Sequence, residues 1–199
     1  MHRLFRRTLV AGALGALLAF TAAPAMAQNF AGDTTGDPTF NRPVSLTSLS
    51  STGTAVPYEV IPFHVTVPGD YVFTSISGNT APENYDGYLL LYSSGFDAGD
   101  PLSNLLAGDD DFDPDGGGPL TSTGGSRIST TGGNSFGTPG ALSTGVQYYL
   151  VQTGFNNTDF GAYTGFAEGP GAISFGFVPE PGSLSLLALG GLALLRRRR

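Results

Sequence analysis

Five aspartates within seven positions are the densest chemistry in this sequence. They are Asp109, Asp110, Asp111, Asp113 and Asp115, and Asp111-Phe112-Asp113-Pro114-Asp115-Gly116 spells D-x-D-x-D-G. Hard carboxylate oxygens at alternate positions, with a glycine for the sharp turn, suit Ca²⁺. A complete calcium loop of this type carries a bidentate glutamate at its twelfth position, where this chain has Ser122. The same residue types also build a solvated turn, in which Asp, Pro and Gly serve local backbone hydrogen bonds. The sequence leaves both readings open, with Ca²⁺ as the candidate ion and the five aspartates as its candidate ligands.

Two other groupings bear on chemistry. Gly133-Asn134-Ser135-Phe136-Gly137 matches G-x-S-x-G, but a nucleophile elbow needs a strand before the serine and a helix after it. Here the motif lies in a Gly/Ser/Thr stretch, and its one candidate base, His64, falls on a predicted strand among apolar residues. The body of the chain has no cysteine and no lysine, which leaves few nucleophiles or general bases besides carboxylates. It is therefore read as non-enzymatic. Tyr85, Tyr88, Tyr92, Tyr148, Tyr149 and Tyr163 would suit a sugar-stacking surface, although aromatics in strands more often pack.

The elements around these residues divide the chain into four. Residues 1–27 read as a signal peptide: Arg3, Arg6 and Arg7, an apolar run from Leu9 to Phe20, then Ala25-Met26-Ala27 as the small-x-small cleavage site, with the cut after Ala27. Residues 28–55 are a Gly-, Asp- and Thr-rich arm, with a short edge strand expected over 43–47. Residues 56–177 form the body, and 178–199 a tail.

The exported part, 28–177, holds all the acidic residues except Glu180, against two basic ones, Arg42 and Arg127. Its formal charge is −13 with His64 neutral. Such a surface repels nucleic acid and anionic lipid and favours divalent counterions. Without cysteine it has no disulfides.

Strand patterns recur along the body. Phe63, Val65 and Val67 alternate with His64 and Thr66, a period of two. The phase shifts near Pro62, which predicts a bulge or bend. Further strands are expected at 71–77, 85–92 (central, buried on both faces), 102–107, 127–131, 147–153, 162–167 and 172–177. No stretch reads as an amphipathic helix. Eight or nine short strands with Gly-rich turns predict an all-β fold, an antiparallel β-sandwich, flanked by a signal helix and a C-terminal membrane helix.

The tail has three parts in order: Pro179-Glu180-Pro181, an apolar segment over 182–195, and Arg196, Arg197, Arg198 and Arg199. Fourteen helical residues span about 21 Å, short of a hydrocarbon core of about 30 Å. The arginines cannot enter a protein core, and by the positive-inside rule they keep this end in the cytoplasm. A short membrane anchor is the expectation.

This tail resembles the PEP-CTERM sorting signal of Gram-negative bacteria. The resemblance implies recognition by an exosortase, a membrane-embedded protease that removes the tail. It also implies delivery to the cell surface or an exopolysaccharide matrix. The body is similar to bacterial pre-peptidase C-terminal domains through Tyr85-Asp86-Gly87-Tyr88-Leu89, Phe96-Asp97, Gly108-Asp109-Asp110, Ser126-Arg127-Ile128, Tyr148-Tyr149-Leu150-Val151 and Gly161-Ala162-Tyr163. That similarity implies a jelly-roll-like sandwich without catalysis of its own. Taken together, the expectation is an exported surface or matrix protein, with a polysaccharide-binding module, calcium-dependent or not, as the alternative.

Overall fold

The computed structural model describes residues 27–77, 85–111 and 125–177. These form twelve strands and no helix. In chain order they are β1 (Gln28–Asp33), β2 (Thr39–Phe40), β3 (Pro43–Ser45), β4 (Ser48–Leu49), β5 (Val56–Val65), β6 (Val72–Ser77), β7 (Gly87–Ser93), β8 (Leu105–Asp109), β9 (Gly125–Ser129), β10 (Tyr148–Gly154), β11 (Ala162–Glu168) and β12 (Ile173–Phe175).

One sheet runs β1-β11-β6-β9 and a second runs β12-β5-β10-β7-β8, with β2 also paired to β5. β3 and β4 make a separate hairpin. All pairings are antiparallel. The largest core cluster draws Phe30, Phe73, Ile128, Tyr163 and Ala167 from the first sheet. From the second it draws Phe63, Val65, Leu89, Leu91, Leu150 and Ile173. Two antiparallel sheets sharing one core give a β-sandwich-like fold. The expected signal helix and the membrane segment 182–195 lie outside the described residues.

β7 is buried along almost its whole length, as the Leu89-Leu90-Leu91 run predicts. Alternation explains how both faces are covered. Leu89 and Leu91 enter the core between the sheets. Tyr88, Leu90 and Tyr92 point the other way, into a second cluster with Phe40, Val151, Phe96, Phe136 and Phe155. Loops and the N-terminal strands roof that outer face.

Two expectations are corrected. The segment 28–55 is no loose arm. β1 pairs over six consecutive positions with β11, from Gln28↔Ala167 to Asp33↔Ala162. Phe30 is buried and faces Gly165, where an added Cβ would meet its ring. The apolar signal is a single phenylalanine among small and polar residues, too sparse to show a period. Nor does β5 bulge at Pro62: its register with β10 runs unbroken from Tyr58↔Thr153 to Phe63↔Tyr148. The Pro62 carbonyl accepts from Gly176 N at 2.6 Å, so its nitrogen faces that same flank. There the β12 ladder has already ended at Phe63↔Phe175, and no N–H is needed.

Candidate functional site

The acidic run divides at the end of β8. Asp109 is its last residue and is 3% exposed. Its carboxylate is committed to protein donors: Arg127 N at 2.7 Å on one oxygen, and Ser135 N at 2.9 Å and Ser135 Oγ at 3.3 Å on the other. It thereby ties β8 to β9 and to the 133–137 turn. Asp110 and Asp111 follow, and alternation turns Asp110 to the opposite face. There they meet Asp86, the residue immediately before β7. One carboxylate oxygen from each of Asp86, Asp110 and Asp111 lies within 4.8 Å of the others. Asp113 and Asp115 lie outside the described residues.

Two ligands on opposite sides of a calcium ion at about 2.4 Å each stand about 4.8 Å apart, so this spacing fits one ion. The Asp110 Oδ1 atom is buried and accepts no hydrogen bond. An orphaned carboxylate oxygen facing two other carboxylates fits a cation or a shared proton. Ca²⁺ takes 6–8 oxygens, so backbone carbonyls or water would complete the set.

Arg42 supplies the local positive charge. It is 1% exposed, on the chain leading into β3. Its guanidinium lies 4.0 Å from the Tyr88 ring centre and 4.6 Å from that of Phe155. Nε donates to Phe155 O at 3.0 Å, and a terminal nitrogen donates to Pro43 O at 3.2 Å. A cavity of about 330 Å³ opens beside it, lined by Ser50, Tyr88, Asp110, Ser135 and Phe155 among others.

The electrostatics follow from this packing. Burial pushes the Asp110 carboxyl up to about 7, with Asp111 adding to the rise and Arg42 opposing it. Burial likewise pushes Asp86 up to about 6, reinforced by Asp111 and Asp159 and opposed by Arg42. An unfolded aspartate titrates near 3.9. The folded domain thus keeps protons that the unfolded chain releases. Their stabilising contribution is full below about pH 4 and is lost as pH rises through about 6 and 7. In chelator the melting temperature should therefore fall between pH 5 and pH 8, and Asp110→Asn should flatten that fall. A wild-type curve that stays level over this range would refute the raised carboxyls.

The other candidates resolve differently. Ser135 donates its hydroxyl to Asp109 and accepts Asp110 N at 3.1 Å. Among the described residues its segment is a turn with no helix after it. His64 sits on β5 opposite Ser174, with a buried Nδ1 that lacks a partner. The six tyrosines do not share an exposed face: Tyr85, Tyr88, Tyr92, Tyr148 and Tyr163 are buried. Their hydroxyls find partners inside, as in Tyr92 to Pro101 O at 2.9 Å and Tyr163 to Glu59 at 2.8 Å. The aromatic alternation was core packing.

Asp86 and Arg42 are the two site residues that the motif search passes over. Asp86 is remote in sequence from the acidic run. Arg42 had one signal: it is one of two cations in a domain of charge −13.

The sorting residues Pro179, Glu180, Pro181 and Arg196 to Arg199 lie outside the described residues, as does Ala25. Ala27 is the first described residue and directly precedes β1. Among the described residues no helix is long and apolar enough to cross a membrane. No characterised protein matches the chain, and the resemblance of the body to pre-peptidase C-terminal domains is not supported. Residues 177–199 match the PEP-CTERM protein-sorting motif, which suggests export and C-terminal sorting through an exosortase in a Gram-negative bacterium.

Proposed function

We propose that the chain is an exported, non-enzymatic cell-surface or extracellular-matrix protein. Its acidic, all-β domain is the cargo, and the tail is its address. The motif over 177–199 is the observation that carries this reading. The signal peptide puts the domain outside, the arginines hold the tail's end inside, and the exosortase cuts between them. Deleting Pro179 to Pro181 should leave the full-length protein in the inner membrane. Fractionation with an antibody to the domain reads this directly. Release of a shortened, tail-less form by the deletion variant would refute the sorting role.

A second reading is favoured by the Asp86–Asp110–Asp111 cluster. In it the domain holds Ca²⁺ and binds polysaccharide, with the adjoining cavity as the place for a sugar. A ligand at 100 times its Kd stabilises the folded state by about 2.7 kcal/mol. For a domain of this size that corresponds to about 5–10 °C in melting temperature. Ca²⁺ should raise the wild-type melting temperature by this amount and leave Asp110→Asn unmoved. Coincident melts of the wild type in calcium and in chelator would remove the metal. Pull-down of the host's own exopolysaccharide, with calcium and with chelator, tests the sugar.

A further inference from the structure

β1 begins at the residue that signal-peptide cleavage would expose. If the cut falls after Ala27, as the Ala25-Met26-Ala27 site implies, Gln28 becomes the N-terminus and also the first residue of β1. No linker separates the cut bond from the folded domain. The side chain of Gln28 is also held. Its Oε1 accepts the backbone N–H of Ile173 at 2.8 Å. Ile173 belongs to β12, the edge strand of the other sheet.

We propose that Gln28 of the processed chain closes to pyroglutamate, and that the Ile173 N–H assists the closure. The neutral α-amine of Gln28 attacks its own side-chain Cδ, forming the N–Cδ bond of a five-membered ring. The carbonyl electron pair moves onto Oε1. The Ile173 N–H faces that oxygen, and a fixed donor there stabilises the oxyanion more than the ground-state carbonyl. The tetrahedral centre then collapses. The Cδ–Nε2 bond breaks and Nε2 leaves as ammonia, carrying the proton that the attacking amine gives up. No oxidant or other co-reactant is needed.

The strand fixes the reacting residue. Six register pairs with β11 and the buried Phe30 ring hold β1 in place, which keeps Gln28 beside the Ile173 N–H. The product keeps the Oε1 carbonyl and loses the terminal ammonium. An exported protein would gain a terminus that aminopeptidases cannot open.

The test rests on the cleavage reading and separates its failure from that of the proposal. Purified full-length precursor is cut with signal peptidase, which sets time zero. One portion is held in native buffer and one in denaturing guanidinium. Intact mass and the N-terminal peptide are followed in both. The expected result is a chain beginning at Gln28 that becomes lighter by one ammonia, about a hundredfold faster when folded, the lower end of what one oxyanion donor contributes. A chain that begins at Gln28 but keeps its ammonia, or loses it no faster when folded, overturns the proposal and leaves the cleavage site standing. A chain that begins elsewhere overturns both.

Discussion

Replacing Arg42 with alanine is expected to destabilise the domain by about 3–5 kcal/mol, the usual cost of emptying the site of a large buried side chain. Three effects combine. The guanidinium fills the space between Tyr88 and Phe155, so truncation empties a stacked layer. Phe155 O and Pro43 O lose their donors. Asp86, Asp110 and Asp159 lose the positive charge that offsets them. The first two effects are insensitive to pH, whereas the third is not. With Arg42 gone, Asp86 and Asp110 will hold their protons to higher pH, so the loss should be larger at pH 8 than at pH 5. Arg42→Lys returns the charge without the flat stacking surface and should recover only part of the stability. Denaturant melts of the three proteins at both pH values decide the matter. A loss below about 1 kcal/mol for the alanine variant would place Arg42 among ordinary surface residues.

Asp109→Ala comes second, at about 3 kcal/mol or more. It removes one acceptor group and strands three donors, the Arg127 and Ser135 amides and the Ser135 hydroxyl. A buried donor left without a partner costs about 1–3 kcal/mol, and the cost is higher where the lost partner was charged. Calcium gives the diagnostic contrast. Asp109 is fully engaged by protein donors, whereas Asp110 carries a free oxygen. Asp109→Ala should therefore be less stable in calcium and in chelator alike, while Asp110→Asn should lose the calcium response and keep the fold. If the two variants behave identically in both buffers, the division of labour assigned to these neighbours is wrong.

The sequence was legible where period and burial agree. The alternation at Phe63 and Val65, the leucine run of β7 and the QYYLVQT strand appear at their expected places, within a residue or two, whereas Val67 lies past the end of β5 and is exposed. β1 was not legible, because its fit depends on a partner strand more than 100 residues away, and β2 is only two residues long, too short to show a period. The site was half legible. Composition located the acidic run, but burial decides which carboxylate is structural and which is open, and burial depends on the face each residue of β8 presents. The tyrosines mislead for the same reason: a ring's chemistry is visible in sequence and its exposure is not. The sorting motif over 177–199 is legible because its signal is a linear order of residues and needs no fold to be read.

The pairing of β1 with β11 also sets a schedule. Asp33 meets Ala162 across 128 intervening positions, so the first sheet cannot close until nearly the whole domain is available to fold. Pairings this distant in sequence form slowly. The first sheet therefore stays open until β11 is available to pair with both β1 and β6. The last strand to be clasped is then β1, the first in the chain.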